Sequence, residues 1–392
     1  MIGDNTFVKE MNYKTVLDTI RTQRSVSRAE LSRLTGLTRS TCSVICDRML
    51  TQGIIIENGT IESTGGRPSI ALQINNRAAS VLGLKMMEGH IAAATVDLGG
   101  NIIIKHSQSI EPDLSSDAYL KRFEAFVTAI ITQHNTAFPL IPMLGIGIGV
   151  GGRVSSDGVL LESSVLGWRN VALKQRLQER FALPVHIEND VNTFAIGEKF
   201  FGSGQLFDNF LCLSVGEGIG LGIVVNGKLL AGSHHGAGEL GHTRVSYEPD
   251  SPRCACGKRG CLEAFASDAA VGQRYFARTG KKLGIDALLA AAEAGDEDAR
   301  TVFSQMGTYL GIAVSSLVNL FDPEAVIIGG ERTNAASHFM KDLRRAFEEN
   351  TVYDLAREVQ LIVLEPSNDE WIRGVAALAI GEFFSQAKRW GQ

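Results

Sequence analysis

Three cysteines fall within eight residues of this 392-residue chain, at Cys254, Cys256 and Cys261, with Gly257 and Gly260 permitting tight turns between them. His242 lies upstream, at a distance a loop can span. Three thiolates and one imidazole suit a closed tetrahedral Cys3His site, the arrangement of structural zinc. A disulfide with a spare thiol is the alternative, but it needs an oxidising compartment that nothing else in the sequence suggests. Glu239 and Glu263 bracket the knuckle. Folding it around zinc brings both carboxylates, and one face of His242, toward a common place.

These residues stand in two runs, Gly238-Glu239-Leu240-Gly241-His242 and Cys254 to Glu263. Together they resemble the paired motifs Gly-Glu-x-Gly-His and Cys-x-Cys-Gly-x-x-Gly-Cys-x-Glu of the family that joins repressors, open reading frames and sugar kinases (the ROK family). Gly149-Val150-Gly151-Gly152-Arg153-Val154, followed by Gly158, is similar to the family's sugar-side glycine loop, although a Pro usually stands where Gly151 is. Leu166-Gly167-Trp168 resembles the Gly-Trp that follows that loop, and Glu188-Asn189-Asp190-Val191-Asn192 resembles the family's Glu-Asn-Asp-x-Asn. The resemblance implies a sugar contacted by Asn189, Asp190, Glu239, His242 and Glu263. In the kinases the Asp is the general base for the attacking hydroxyl; in sugar binders it is a hydroxyl acceptor. Asn189 offers both a donor and an acceptor to a sugar, whereas an isolated Asn-Asp is an ordinary turn. His242 would work twice, binding zinc through one ring nitrogen and meeting a hydroxyl or second-shell acceptor through the other.

The nucleotide side departs from the kinases. Their body opens with a strand ending in Asp-x-Gly-Gly-Thr, where this chain has Lys85-Met86-Met87-Glu88-Gly89. Their second phosphate loop is Gly-Thr-Gly-x-Gly-x-Gly; Gly216-Glu217-Gly218-Ile219-Gly220-Leu221-Gly222 keeps the glycines and replaces the Thr with Glu217. The expectation is a chain that does not use ATP, with Asp190 a relic base and Lys85 and Glu217 approaching each other as an ion pair.

The elements ahead of this body read as a DNA-binding head. Val16, Leu17 and Ile20 share one face of a short helix over 13–22. Ser27 and Glu30 form a capping box for a second helix that Gly36 ends, and Thr38 caps a third from Arg39 to about Gln52. Cys42, Ile45, Cys46, Met49 and Leu50 make the apolar stripe of that third helix. The two cysteines there are core hydrophobes rather than ligands. Arg39, Ser40, Thr41, Ser43 and Asp47 occupy the rest of its surface, and its N-terminal end is where a recognition helix reads base edges. Asn58-Gly59 between apolar runs predicts the turn of a two-stranded wing. In Thr64-Gly65-Gly66-Arg67-Pro68, Arg67 is either a minor-groove contact or a solvated hinge residue.

The expected fold class is α/β: an N-terminal winged helix-turn-helix domain and, by resemblance, a two-lobed actin-like body of the sugar-kinase/RNase H-like type. Strands are predicted at 81–86, 90–97, 101–106, 143–150, 210–215, 222–225, 228–230 and 325–330, with long helical stretches over 117–136 and 268–320. The division places the head at 1–75, a first lobe at 76–195 completed by a C-terminal helix at 369–392, and a second lobe at 196–368 that carries the knuckle and oligomerises. The formal net charge is −5, yet residues 1–75 hold 9 basic and 7 acidic side chains against 29 and 36 in the remainder. A mildly basic head on an acidic body excludes a chain basic throughout and suits a small nucleic-acid module on a sensor. No signal-like start or membrane-length apolar run is present, and six cysteines, half in one knuckle, fit a reducing cytoplasm.

The expected function is a cytoplasmic sugar-responsive transcriptional regulator, a repressor of carbohydrate-metabolism genes without enzymatic activity. Its expected cofactor is Zn2+, and its partners are double-stranded operator DNA, a monosaccharide or sugar-derivative effector and further copies of itself, as dimer or tetramer. An ATP-dependent sugar kinase with an added DNA-binding domain is the alternative, and a scaffold for a sugar-transport protein is a third.

Overall fold

The computed structural model describes residues 5–61, 68–87, 89–111, 115–367 and 369–385. Arg67 and Glu88, singled out above, lie outside the described residues.

The head comprises α1 (Asn5–Gln23), α2 (Arg28–Thr35), α3 (Arg39–Thr51), β1 (Ile55–Ile61) and β2 (Ser69–Ile74). Ser27 caps α2 by accepting from the Glu30 amide at 3.2 Å, and Gly36 ends it at φ +70°. The Glu30 carboxylate turns to Arg33. Thr38 caps α3 through the Thr41 amide at 3.2 Å, a contact that contributes ~1 kcal/mol in such helices. Tyr13, Val16, Leu17, Ile20, Leu31, Cys42, Cys46, Met49, Ile54 and Leu72 form the buried core, and burial pushes the Cys46 thiol up to about 11.

The wing corrects one expectation. Asn58-Gly59 does not turn the chain; both lie inside β1, which pairs antiparallel with β2 through a register shift between Glu57 and Thr60. Gly59, at φ +80°, supplies the left-handed residue of that irregularity. The Asn58 side chain donates across to Gln73 at 3.0 Å.

The chain divides into two compact units: residues 1–150, 165–187 and 375–392, and residues 151–164 and 188–374. In the first, the head is followed by β3 (Ser80–Met87), β4 (His90–Asp97), β5 (Ile102–Ser109), α4 (Ser116–Ala137) and β6 (Met143–Val150). β3, β4 and β5 form an antiparallel meander, and β6 joins β3 in parallel. α4 buries Tyr119, Leu120, Phe123, Val127 and Ile130, the apolar stripe of an amphipathic helix.

Short strands β7 (Arg153–Val154) and β8 (Leu160–Ser163) open the second unit; β9 (Trp168–Val171) and α5 (Leu173–Phe181) belong to the first. Trp168 is buried there, edge-on to Tyr119 with ring centroids 5.1 Å apart. β10 (Val185–Asn189) completes a five-stranded sheet of order β10-β6-β3-β4-β5.

The second unit holds α6 (Asp190–Phe201), β11 (Phe210–Val215), β12 (Ile219–Val225), β13 (Lys228–Leu229), α7 (Glu263–Ala266), α8 (Asp268–Thr279), α9 (Ile285–Glu293), α10 (Glu297–Phe321), β14 (Ala325–Gly329), α11 (Ala336–Asn350), α12 (Leu355–Glu358), β15 (Gln360–Val363) and the start of α13 (Asp369–Ser385). Its sheet order is β13-β12-β11-β14-β15. Asn226 and Gly227 both have positive φ, so this Asn-Gly does make the predicted hairpin turn. Phe210 and Cys212 pack with Phe194 and Trp371 on one face of the sheet, while Leu211, Leu213 and Val215 face a core built on α8, α10 and α11, the two-sided burial of a doubly covered sheet. α10 is long and apolar enough to span a bilayer but lies mostly buried in this core. Gly307 and Gly311 let α11 approach it: added Cβ atoms would run into the Phe339 and Leu343 carbonyls.

Candidate functional site

The knuckle closes as its spacing predicts. All six cysteines are free thiols in this structure. The ligand atoms of His242, Cys254, Cys256 and Cys261 lie within 4.8 Å of one another. His242 Nδ1 is 3.4 Å from Cys254 Sγ, and Cys256 Sγ is 3.7 Å from Cys261 Sγ. Around a tetrahedral zinc, with sulfur at ~2.3 Å and nitrogen at ~2.0 Å, such edges measure roughly 3.5–3.8 Å, so these two edges are close to that spacing and the donor set fits that ion in type and number. Gly257 and Gly260 take positive φ, as the turns between the thiols require; a Cβ on Gly260 would strike the Ser246 carbonyl. Burial pushes the Cys254 thiol up to about 12 and raises Cys261, whereas the Lys258 amide beside Cys256 lowers it. A metal held here by thiolates displaces these protons.

Two carboxylates stand against the cluster. Cys254 Sγ donates to Glu263 Oε1 at 3.8 Å, and His242 Nε2 lies 3.9 Å from Glu239 Oε2. His242 therefore turns Nδ1 to the thiols and Nε2 to the opposite side. The other Glu263 oxygen lies against Gly218 and Gly241, where added Cβ atoms would come within 3.3 Å of it.

The Asn189–Asp190 pair sits where β10 ends and α6 begins. Asn189 is the cap: its Oδ1 accepts from the Val191 amide at 2.9 Å and the Asn192 amide at 3.2 Å, and its Nδ2 donates to the Gly152 carbonyl at 2.9 Å. Its acceptor is thus committed to the helix, and one amide hydrogen is left for a ligand. Asp190 is the first residue of α6, where the helix dipole favours a carboxylate. Glu188, which no role was expected of, holds the corner by accepting from the Asn189 amide at 2.8 Å and the Asn192 side chain at 3.0 Å. The segment 234–236 packs beside this corner: Arg153 donates to the His234 carbonyl at 3.4 Å, and the Ser156 amide donates to His235 Nε2 at 3.4 Å. No sequence signal marked that contact.

The glycine run 216–222 has a packing cause. A Cβ on Gly220 would come 2.5 Å from Val191, and one on Gly222 would come 2.5 Å from the Ala195 methyl. These two glycines let α6 lie directly on β12. Gly216 faces the Glu331 carboxylate, and Arg332 beside it makes a buried two-pronged bond to Asp268, 2.8 Å on each arm. Lys85 lies on β3, paired with Ala92 and Gly149, and Glu217 lies between β11 and β12.

On the head, Arg39 and Ser40 are exposed at the start of α3, while Thr41 and Ser43 are half-buried. The Thr41 hydroxyl is 2.8 Å from Thr38, within the cap. Asp47 is tied to Arg28 at 2.7 Å. Val44, 69% exposed, shares the outer face; reading the stripe for polar residues missed it.

The ROK family model matches residues 81–382. The chain is 30% identical to the xylose repressor of Bacillus subtilis (strain 168) over 387 residues, which cover 97% of this chain and 98% of that protein. Among solved structures, a ROK family transcriptional regulator described as a homologue of the Escherichia coli MLC protein superposes with a TM-score of 0.84 at 30% identity, covering 97% of this chain and 99% of that one. A ROK family glucokinase from Streptomyces griseus, solved with glucose and AMPPNP, gives a TM-score of 0.65 at 28% identity, over 76% of this chain and 99% of its own.

Proposed function

This chain belongs to the ROK family, and on that premise we propose that it is a sugar-responsive, DNA-binding transcriptional repressor of carbohydrate-metabolism genes. The observation that carries this reading is that its likeness to a repressor runs through the head as well as the body, whereas the likeness to a glucokinase covers 76% of the chain. The head, residues 1–75, reads duplex operator DNA with Arg39, Ser40, Thr41, Ser43 and Arg67. Val44 joins them as an apolar contact for a thymine methyl. Residues 76–195 with residues 369–392, and residues 196–368, form the sensing body. The protein works in the cytoplasm as a dimer or tetramer.

Zinc on His242, Cys254, Cys256 and Cys261 closes a four-ligand shell, which supplies folding energy rather than catalysis. The shell fixes His242 so that Nε2 faces a sugar hydroxyl, with Glu239 and Glu263 as flanking acceptors. Asn189 gives its remaining amide hydrogen, and Asp190 accepts from the ring hydroxyl that a kinase would deprotonate. The effector acts by its differential affinity for the DNA-competent and released states.

The test measures operator binding by the full chain against a panel of aldopentoses, hexoses and their derivatives. One sugar is expected to shift binding. Asp190→Ala is expected to keep operator affinity and lose that response; a response with the native midpoint would show that the pocket lies elsewhere.

A further inference from the structure

Helix α1 is apolar on two faces. Tyr13, Val16, Leu17 and Ile20 enter the core of the head, while on the opposite side Phe7, Val8 and Met11 stand 62%, 48% and 51% exposed. From Val8 this outer face continues through Met11, Thr15, Asp18 and Thr22 at alternating steps of three and four, the spacing of a seam made for a second helix. The threonines do not break it. The hydroxyls of Thr15, Thr19 and Thr22 donate to the carbonyls of Met11, Thr15 and Asp18 at 2.9, 2.7 and 2.7 Å. Back-bonded in this way, they are satisfied within the helix and add methyl surface to the seam. Asp18 is the charge within it, and Arg21 at 3.8 Å compensates it, with Lys14 a second neighbouring cation.

The seam is also shaped for its own copy. Its first half projects three large side chains. Its second half borders an open depression of about 420 Å³ lined by Thr15, Asp18, Thr19, Thr22, Gln23 and Leu34. Two such helices laid antiparallel set the projecting half of each against the recessed half of the other, so one patch serves both partners, as a two-fold contact requires. With its charge compensated inside each chain, the seam does not call for an oppositely charged partner.

We propose that α1 pairs antiparallel with α1 of a second copy through Phe7, Val8, Met11 and Thr15, joining two heads directly. This rests on the DNA-reading role of the head, whose recognition helices would then be held at one spacing and read two half-sites as a unit.

The experiment has two arms, both on the full chain. In the first, Met11→Cys/Thr15→Cys is oxidised in solution without DNA beside the native protein, which controls for its own cysteines. Peptide mapping is expected to find the thiol introduced at position 11 of one chain bonded to the thiol introduced at position 15 of another. In the second, Val8→Glu/Met11→Glu, at exposed positions and checked for a native melting curve, is titrated with operators of one and two half-sites. Affinity for two sites is expected to fall at least tenfold while one-site affinity holds. An absent cross-link overturns the pairing, and so does an undiminished two-site affinity. Failure of the DNA-reading role itself looks different: no form of the protein binds operator, yet the cross-link still forms.

Discussion

Gly220 shows how one residue type carries two meanings. In a run of alternating glycines it reads as a phosphate loop, but here the missing Cβ is the space that Val191 of α6 occupies. Gly220→Ala must push α6 off β12, and overpacking of this kind costs about 1–3 kcal/mol. The expected outcome is a lower denaturant midpoint together with a weaker sugar response, because Asn189 and Asp190 ride on the displaced helix. A Gly236→Ala control, whose added Cβ meets only Arg153 at 3.7 Å, should leave both unchanged. The gathering of Cys254, Cys256 and Cys261 with His242 was legible in the sequence, because three thiols two and five residues apart with turn-forming glycines between them suit one closed cluster. Asn189 was marked by its motif, but neither its place at the corner nor the capture of its acceptor by two amides of its own helix was legible, because both depend on where α6 begins.

Among the elements, α3 was the most legible, because caps and a one-face stripe are local signals. The wing was not: Asn58-Gly59 has the composition of a turn, and only the pairing of β1 with β2 keeps it inside a strand. If Arg39 reads a guanine from the first turn of α3, Arg39→Ala should weaken operator binding by ~1–3 kcal/mol and relax preference at one base pair; an equal loss on all sequences would make it a phosphate contact. α6 and α13 give a pH-dependent outcome. Burial, then the neighbouring Glu198 charge, pushes the Glu370 carboxyl up to about 7, opposed by Arg373. Glu198 is itself raised by burial and accepts from the Ser203 amide at 2.9 Å. A carboxyl that titrates higher folded than unfolded binds more protons in the folded state, so stability is greatest below the unfolded value of 4.5 and falls as pH rises toward about 7. Glu370→Gln should therefore melt higher than the native chain at pH 8 and lose most of that advantage by pH 4.5. An equal gain at both values would mean a packing effect.

At the scale of the whole molecule, each unit carries a five-stranded sheet in which an antiparallel meander is followed by two further strands, β5-β4-β3-β6-β10 in one and β13-β12-β11-β14-β15 in the other. The meanders were legible in part, because apolar runs and the turns at Gly99-Gly100 and Asn226-Gly227 are local signals, but β12 begins at Ile219, inside the run read as a phosphate loop. β15 and α11 were not, since a four-residue strand and a helix rich in charge acquire their identity from the sheet and from α10. Such a body can hold a nucleotide only where backbone amides meet phosphates, and both places are altered here. β3 and β4 stay paired out to Met87 and His90, with Gly89 in a left-handed turn, and the Asp and the two glycines of the kinases' first loop are replaced by Lys85, Met87 and Glu88. At the second loop, Gly220 and Gly222 are taken up by α6, the Glu331 carboxylate lies against Gly216, the Glu263 carboxylate lies against Gly218, and Glu217 stands between those glycines. Arg332, the nearby cation, is bound to Asp268 on both arms. Like charges ~4 Å apart repel by about 4 kcal/mol at an effective dielectric of 20, and a triphosphate would meet several carboxylates at once. The expected outcome is that ATP with Mg2+ neither raises the melting temperature nor phosphorylates any sugar that moves the protein on its operator. Glu217→Thr, which restores the kinase residue at one position, should not rescue activity alone, because the β3–β4 hairpin and Glu331 remain. Sugar phosphorylation by the native chain, abolished in Asp190→Ala, would establish instead that Asp190 still works as a base and that the protein is both kinase and regulator.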